Sequence, residues 1–334
     1  MNAYVFKETR SPLAHLECNF NRYVQTRQAK EHLHQDGNSI ADYAFGLDYE
    51  LRKKLDAIPQ LYNISKKVMS TTAGRMIQTF NRNALAVGPN QMPEVYQIAC
   101  DCARTLGIGI PNIFILGSPD INAFTCAADD IEPIIVIYSG LYERATPEIL
   151  RAIIGHECGH IHNDHVMYET VARLLLSGGL GFLSQIPGVN ALTNLLTAGT
   201  KIALSTWSRA AEVTADRASV ICSSPEDALR TQMLLMYGGA RNVDINNIDL
   251  AAIQDQLKMQ MDNIARYDEL LDDSNTHPAT ARRIAAIQAF ANCETLFSWR
   301  PELKKPGAAV CSKLETEERC RQVINVTRTS AKRK

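Results

Sequence analysis

The chain has 334 residues, 46% of them hydrophobic and 21% charged, enough to bury a substantial core in one large domain or two small ones. Its 35 basic and 36 acidic side chains nearly cancel, so charge gives no argument for a nucleic-acid surface or a strongly charged substrate, and no nucleic-acid partner is expected. The nine cysteines are odd in number and scattered, and the start "MNAYVFKETRSPLAH" lacks the apolar core of a secretory signal; both point to a reducing, intracellular compartment and a cytoplasmic location.

Residues 1–44 read as a polar, irregular lead-in whose His15, His32 and His34 lie far from other ligand-type side chains. From "LDYELRKKLDAIPQLYNISKKVM" onward, Leu51, Leu55, Ile58, Leu61 and Ile64 recur at three- and four-residue steps, which predicts helices broken at Pro59. "MPEVYQIACDCARTLGI" predicts another helix. Its Cys100 and Cys102 lack the two-residue spacer of zinc and redox pairs and read as buried or idle thiols. "PNIFIL" predicts a strand, and "IEPIIVIYSGLY" a second one ended by Ser139 and Gly140.

The segment "GHECGHIHNDH" at 155–165 places four of the eight histidines and a glutamate within eleven positions. It continues a helix with Thr146 as cap, Pro147 in the first position, Glu148 at the positive end of the dipole and an apolar face of Ile149, Leu150, Ile153 and Ile154. Four helical residues advance about 400° and about 6 Å, so His156 and His160 project from one face and can grip one ion. Glu157 lies roughly 100° around, where its carboxylate can reach a metal-bound water without binding the metal. Cys158 faces the packing side. His162 and His165 fall on other parts of the helix surface and read as bystanders, either solvated or supporting a ligand from behind, not as ligands.

Leu174 to Thr200 is uncharged but broken by Gly178, Gly179, Gly181, Pro187 and Gly188, and reads as a buried or groove-lining helical hairpin, with interfacial membrane contact as the alternative. Further on, "TWSRAAEVTADRAS" repeats helical i, i+4 spacing at Glu212 and Asp216. Glu212 would complete a two-histidine, one-glutamate set with the fourth zinc position open, and Asp216 could accept the remaining ring N–H of a ligand histidine. Beyond residue 300 the chain turns polar and ends in a basic cluster, which reads as a solvated tail over 301–334.

"HECGH", then "SRAAEVTAD", then "THPATARRI" resembles the three ordered motifs of gluzincin metallopeptidases related to HtpX and the CAAX prenyl proteases, over roughly residues 45–295. "SPDINAFTC" is similar to that family's substrate-binding edge strand. The resemblance implies an α+β, mostly helical zincin-like metallopeptidase domain at 45–300, with a helical lead-in at 45–110, a catalytic core at 111–295 and a small sheet whose edge strand binds substrate. It implies one zinc per chain on His156, His160 and Glu212, Glu157 as acid/base, and His277 and Arg283 in transition-state stabilisation and site organisation. Asn122, Ala123 and Phe124 match the substrate-binding segment. Manganese or cobalt would suit the same ligands.

The implied activity is zinc-dependent endoproteolysis of proteins or unfolded polypeptides, probing backbone by strand addition, in protein quality control. The alternative is a zinc-containing chaperone or holdase with little proteolysis. CAAX and HtpX-type enzymes carry several transmembrane helices, whereas no stretch here offers about twenty uninterrupted apolar residues. The chain therefore looks more like the soluble branch, with peripheral membrane contact as the lesser expectation.

Overall fold

Apolar spacing becomes helix, and uninterrupted apolar runs become strands, in a computed structural model that describes residues 41–58, 61–63, 65–67, 79–80, 82–128, 131–176, 198–237, 248–249, 251–253, 255 and 280–324. Helix α1 (Gly46–Asp56) buries Leu47, Asp48, Leu51 and Leu55. Helix α2 (Pro93–Leu106) starts with Pro93, whose missing N–H costs nothing there, and stops at Gly107, which takes the left-handed conformation at φ 69°.

Four strands follow or flank α2: β1 (Ala84–Ala86), β2 (Asn112–Leu116), β3 (Ala123–Ala128) and β4 (Ile131–Tyr138). They form one mixed sheet in the order β1-β2-β4-β3, with β2 and β4 parallel and the outer strands antiparallel to their neighbours. Strand period 2 divides the side chains. Ile113, Ile115, Ile135 and Ile137 face the helices, while Phe114, Ile134 and Val136 pack on the other face with Phe80 and Cys126. Both faces are apolar, which is why "NIFIL" and "IIVI" are continuous runs without alternation. β4 ends in a short helix α3 (Ser139–Tyr142). A Cβ on Gly140 would lie 2.2 Å from the Pro119 carbonyl oxygen, so this turn requires glycine.

Further helices among the described residues include α4 (Pro147–His162), α5 (Val166–Leu176), α6 (Ala198–Cys222), α7 (Pro225–Tyr237), α8 (Thr280–Phe290), α9 (Glu294–Trp299) and α10 (Lys313–Ile324). α4 begins as expected, with the Thr146 hydroxyl accepting from the Ile149 N–H at 3.4 Å. It lies close against α6: a Cβ on Gly155 would meet Cys222 at 2.6 Å, and one on Gly159 would meet Ala218 at 2.6 Å and the Ala215 backbone at 3.0 Å. The glycines flanking the histidine pair thus let two helices approach at the site. The fold is α+β and mostly helical, with the small sheet expected.

Residues 301–324 depart from the solvated tail that the sequence suggests. Thr316, Cys320 and Ile324, at four-residue steps on α10, are buried. Arg217 of α6 reaches Glu317 at 2.6 Å, and the Gly46 N–H donates to Glu317 at 2.8 Å. A stripe of only three small or medium side chains carries little periodic signal, yet a buried arginine gives it an anchor. Residues 325–334 lie outside the described residues. So do residues 177–197, the body of the expected hairpin, and residues 1–40 of the lead-in.

A candidate metal centre between two helices

The i, i+4 spacing on α4 brings His156 and His160 to one side of the helix, where their Nε2 atoms lie 3.2 Å apart. Glu212 on α6 faces both: its Oε2 is 3.5 Å from His156 Nε2 and its Oε1 is 3.7 Å from His160 Nε2. One ligand atom from each residue falls within a 4.8 Å span, the one such His/Cys/Asp/Glu group among the described residues. Zinc bonds of about 2.05 Å place tetrahedral ligands about 3.3 Å apart, so these edges fit a zinc-sized ion. Two imidazoles and a carboxylate are also the donor set zinc takes when a fourth position stays open to water.

A shell of buried polar groups orients the cluster. Asp216, one turn beyond Glu212, lies 3.1 Å from His156 Nδ1. Arg283 of α8 forks onto Asp216, with Nε donating to Oδ2 at 2.8 Å and Nη2 to Oδ1 at 2.6 Å, and its Nη1 is 3.0 Å from Glu212 Oε2. Gln232 of α7 adds a bond to Asp216 Oδ1 at 3.2 Å. Burial raises the Asp216 pKa, but Arg283 outweighs it and holds the carboxyl below its usual range. Burial likewise disfavours the charged His156 ring, but the Asp216 and Glu212 carboxylates outweigh it and push its pKa up to about 10.

Glu157 is buried on α4 beside the histidines, and the Thr125 hydroxyl of β3 donates to its Oε2 at 2.5 Å. The edge strand and the helix of the histidine pair are therefore tied at the glutamate. A cleft of about 340 Å³ opens over this group, lined among others by Asn122, Ala123, Thr231 and Thr280. Strand alternation sends Phe124 away from it, against Phe80 and Tyr138 on the opposite sheet face. His277 lies outside the described residues.

The structure brings together His156, Glu157, His160, Glu212, Asp216 and Arg283, with Asn122 and Ala123 at the cleft edge. Sequence reasoning missed Thr125 and Gln232, and it left His162 and His165 open between solvated positions and positions supporting a ligand. Neither is solvated. His162 Nδ1 is 2.6 Å from the Tyr43 hydroxyl, and His165 lies between His160 and Asp48. Strand periodicity puts Ala123 and Thr125 on one face and Phe124 on the other but leaves open which face meets the cleft; Asp48, the carboxylate partner of His165, lies on a helix more than a hundred residues earlier and has no local signal.

A model of peptidase family M48 matches residues 89–291. The chain is 27% identical over 210 residues to the plastoglobule-localized metallopeptidase 48, chloroplastic, of Arabidopsis thaliana, covering 62% of this chain and 59% of that one. It is 28% identical over 116 residues to a protease HtpX homolog of Levilactobacillus brevis, covering 35% and 39%. It thus spans less than two thirds of either relative. The crystal structure of S. mikatae Ste24p aligns with a TM-score of 0.42 at 18% identity, covering 72% of this chain and 60% of that one.

These relatives overturn the cytoplasmic location expected from the sequence: one is plastoglobule-localized and chloroplastic, and the other is a protease HtpX homolog. The expectation rested on scattered cysteines and a missing secretory signal, and neither bears on organelle targeting or lipid-surface attachment. Among the described residues, no helix is long and apolar enough to cross a membrane.

Proposed function

The chain belongs to peptidase family M48, a family of zinc-dependent metallopeptidases, and on that premise we propose that it is a zinc metalloendopeptidase acting on proteins or unfolded polypeptides. His156, His160 and Glu212 hold one zinc, and Glu157 is the catalytic acid/base. The observation that carries this reading is the convergence of two histidine nitrogens and a glutamate within 4.8 Å, with Glu157 one residue from the first ligand. Residues 45–300 form the peptidase domain.

Bound there, zinc supplies a Lewis acid that brings the pKa of a water to about 7 and polarises a peptide carbonyl. Glu157, oriented by Thr125, takes the proton of the attacking water and passes it to the leaving amine. Asp216 accepts from His156 Nδ1 and leaves Nε2 free to ligate. Arg283, forked on Asp216 and touching Glu212, balances the two carboxylates and fixes their positions. His277 is assigned by motif resemblance to the oxyanion. An extended peptide adds to the outer edge of β3, beginning at Ala123, with its scissile bond carried toward Glu157. Such backbone reading suits unfolded segments and a part in protein quality control.

The test is casein cleavage by zinc-loaded wild type beside Glu157→Gln, with zinc content measured in both. Loss of about 10²- to 10⁴-fold in rate with zinc retained is expected. Equal cleavage by both would overturn the role of Glu157. Bound zinc with no cleavage by either, together with suppressed aggregation of an unfolded client, would favour the holdase reading instead.

A further inference from the structure

The four residues that follow Ile161 are all fastened to the N-terminal segment. His162 meets Tyr43, Asn163 donates to the Tyr43 hydroxyl at 3.0 Å and accepts from the Ala41 N–H at 3.3 Å, and Arg52 grips Asp164. His165 makes the contact that bears on chemistry. Its Nδ1 is 3.1 Å from His160 Nδ1, and its Nε2 is 2.9 Å from Asp48 Oδ2 on α1. All three side chains are buried.

Proton placement along this line is fixed by its two ends. His160 Nε2 faces His156 Nε2 and Glu212, so as a ligand it carries no proton, and the proton of the neutral ring sits on Nδ1. His160 Nδ1–H then donates to His165 Nδ1, which leaves the His165 proton on Nε2, facing Asp48 Oδ2. Asp48 is a pure acceptor. Trp207 Nε1–H donates to its Oδ1 at 2.9 Å, and the Thr214 hydroxyl donates to Oδ2 at 2.7 Å while accepting from the Phe45 N–H at 3.0 Å. Every bond of the network runs in one direction, toward the Asp48 carboxylate.

The geometry points to Asp48 and His165 as positioning residues for the metal site: a buried Asp48–His165–His160 relay sets the tautomer and ring orientation of His160. It rests on the reading of His160 as a zinc ligand. Asp48 lies outside residues 89–291, so a helix beyond the family-matched region completes the support of the ion. The two ligand histidines are then held alike, His156 by Asp216 directly and His160 by Asp48 through a second imidazole.

Two measurements test this. In zinc-loaded wild type labelled with ¹⁵N-histidine, long-range ¹H–¹⁵N spectra should find the proton of His160 on Nδ1 and that of His165 on Nε2; a proton on His165 Nδ1 would overturn the relay without any variant. Zinc affinity is then read by chelator competition. In Asp48→Asn the amide presents an NH₂ either to Trp207 or to His165 and Thr214, and His165→Phe keeps volume while deleting the acceptor. Both should bind zinc about 10- to 100-fold more weakly. Trp207→Phe, which removes a neighbour of Asp48 but leaves the relay intact, should stay within about twofold. Wild-type affinity in Asp48→Asn, or equal weakening in Trp207→Phe, would reduce the network to packing. Unchanged zinc binding in His160→Ala would instead overturn the zinc reading itself.

Discussion

The Thr125 hydroxyl donates to the Glu157 carboxylate at 2.5 Å, joining the edge strand of the sheet to the helix that carries the histidine pair. In the proposed function this contact positions the substrate edge and the acid/base together. Thr125→Val keeps the β-branched shape that the strand favours and deletes the donor. We expect kcat to fall about tenfold, equivalent to roughly 1.4 kcal/mol, with zinc content unchanged. Steady-state kinetics beside metal analysis checks this, and loss of zinc would argue that the bond supports the fold and not the base.

Gly159 stands where α4 and α6 come closest. Its added methyl would meet Ala218 Cβ at 2.6 Å and the Ala215 backbone at 3.0 Å, neither of which can swing aside. Gly159→Ala should destabilise the protein by roughly 1 to 3 kcal/mol through overpacking. Gly117→Ala, with nothing within 4 Å of the new methyl, is the matched control and should cause much less loss in thermal melts.

Glu317 of α10 accepts from Arg217, whose guanidinium is almost wholly buried and which has Cys320 and the Tyr43 carbonyl as its other partners. Burial disfavours that charge, and Glu317 offsets it. Glu317→Ala leaves a buried cation without its carboxylate. Urea denaturation should register a loss of roughly 3 kcal/mol, whereas Glu318→Ala, exposed on the same helix, should cost little.

The pKa of His156 is raised from its ordinary 6.5 to about 10 in the metal-free protein, burial being outweighed by Asp216 and Glu212. A raised pKa contributes stability that is fully present below pH 6.5 and lost as pH rises through about 10. Zinc needs the neutral ring, so binding expels this proton. Affinity should therefore climb about tenfold per pH unit between about pH 7 and about pH 9, with one proton released on titration in buffers of different ionisation enthalpy. Flat affinity over that range would mean that His156 is already neutral without metal.

Local spacing was enough to place His156, Glu157 and His160 on one helix and Glu212 and Asp216 on another, because 3.6-residue periodicity and capping act over a few residues. The strands "NIFIL" and "IIVI" and the α+β class were legible for the same reason. Local spacing could not say that Phe124 turns away from the cleft while Thr125 turns toward Glu157, since that depends on which sheet face the helices cover. Nor could it separate a solvated histidine from one held by Asp48: His165 looks the same in sequence either way, and the carboxylate that holds it comes from α1, itself fixed by Trp207 and Thr214 of α6. The buried stripe of α10 is too short to stand out until Arg217 and Glu317 meet. The candidate ligand set is thus written in short-range periodicity, whereas the orientation of each of its side chains is decided by long-range contacts, because a buried proton or charge must find its partner wherever the fold brings one.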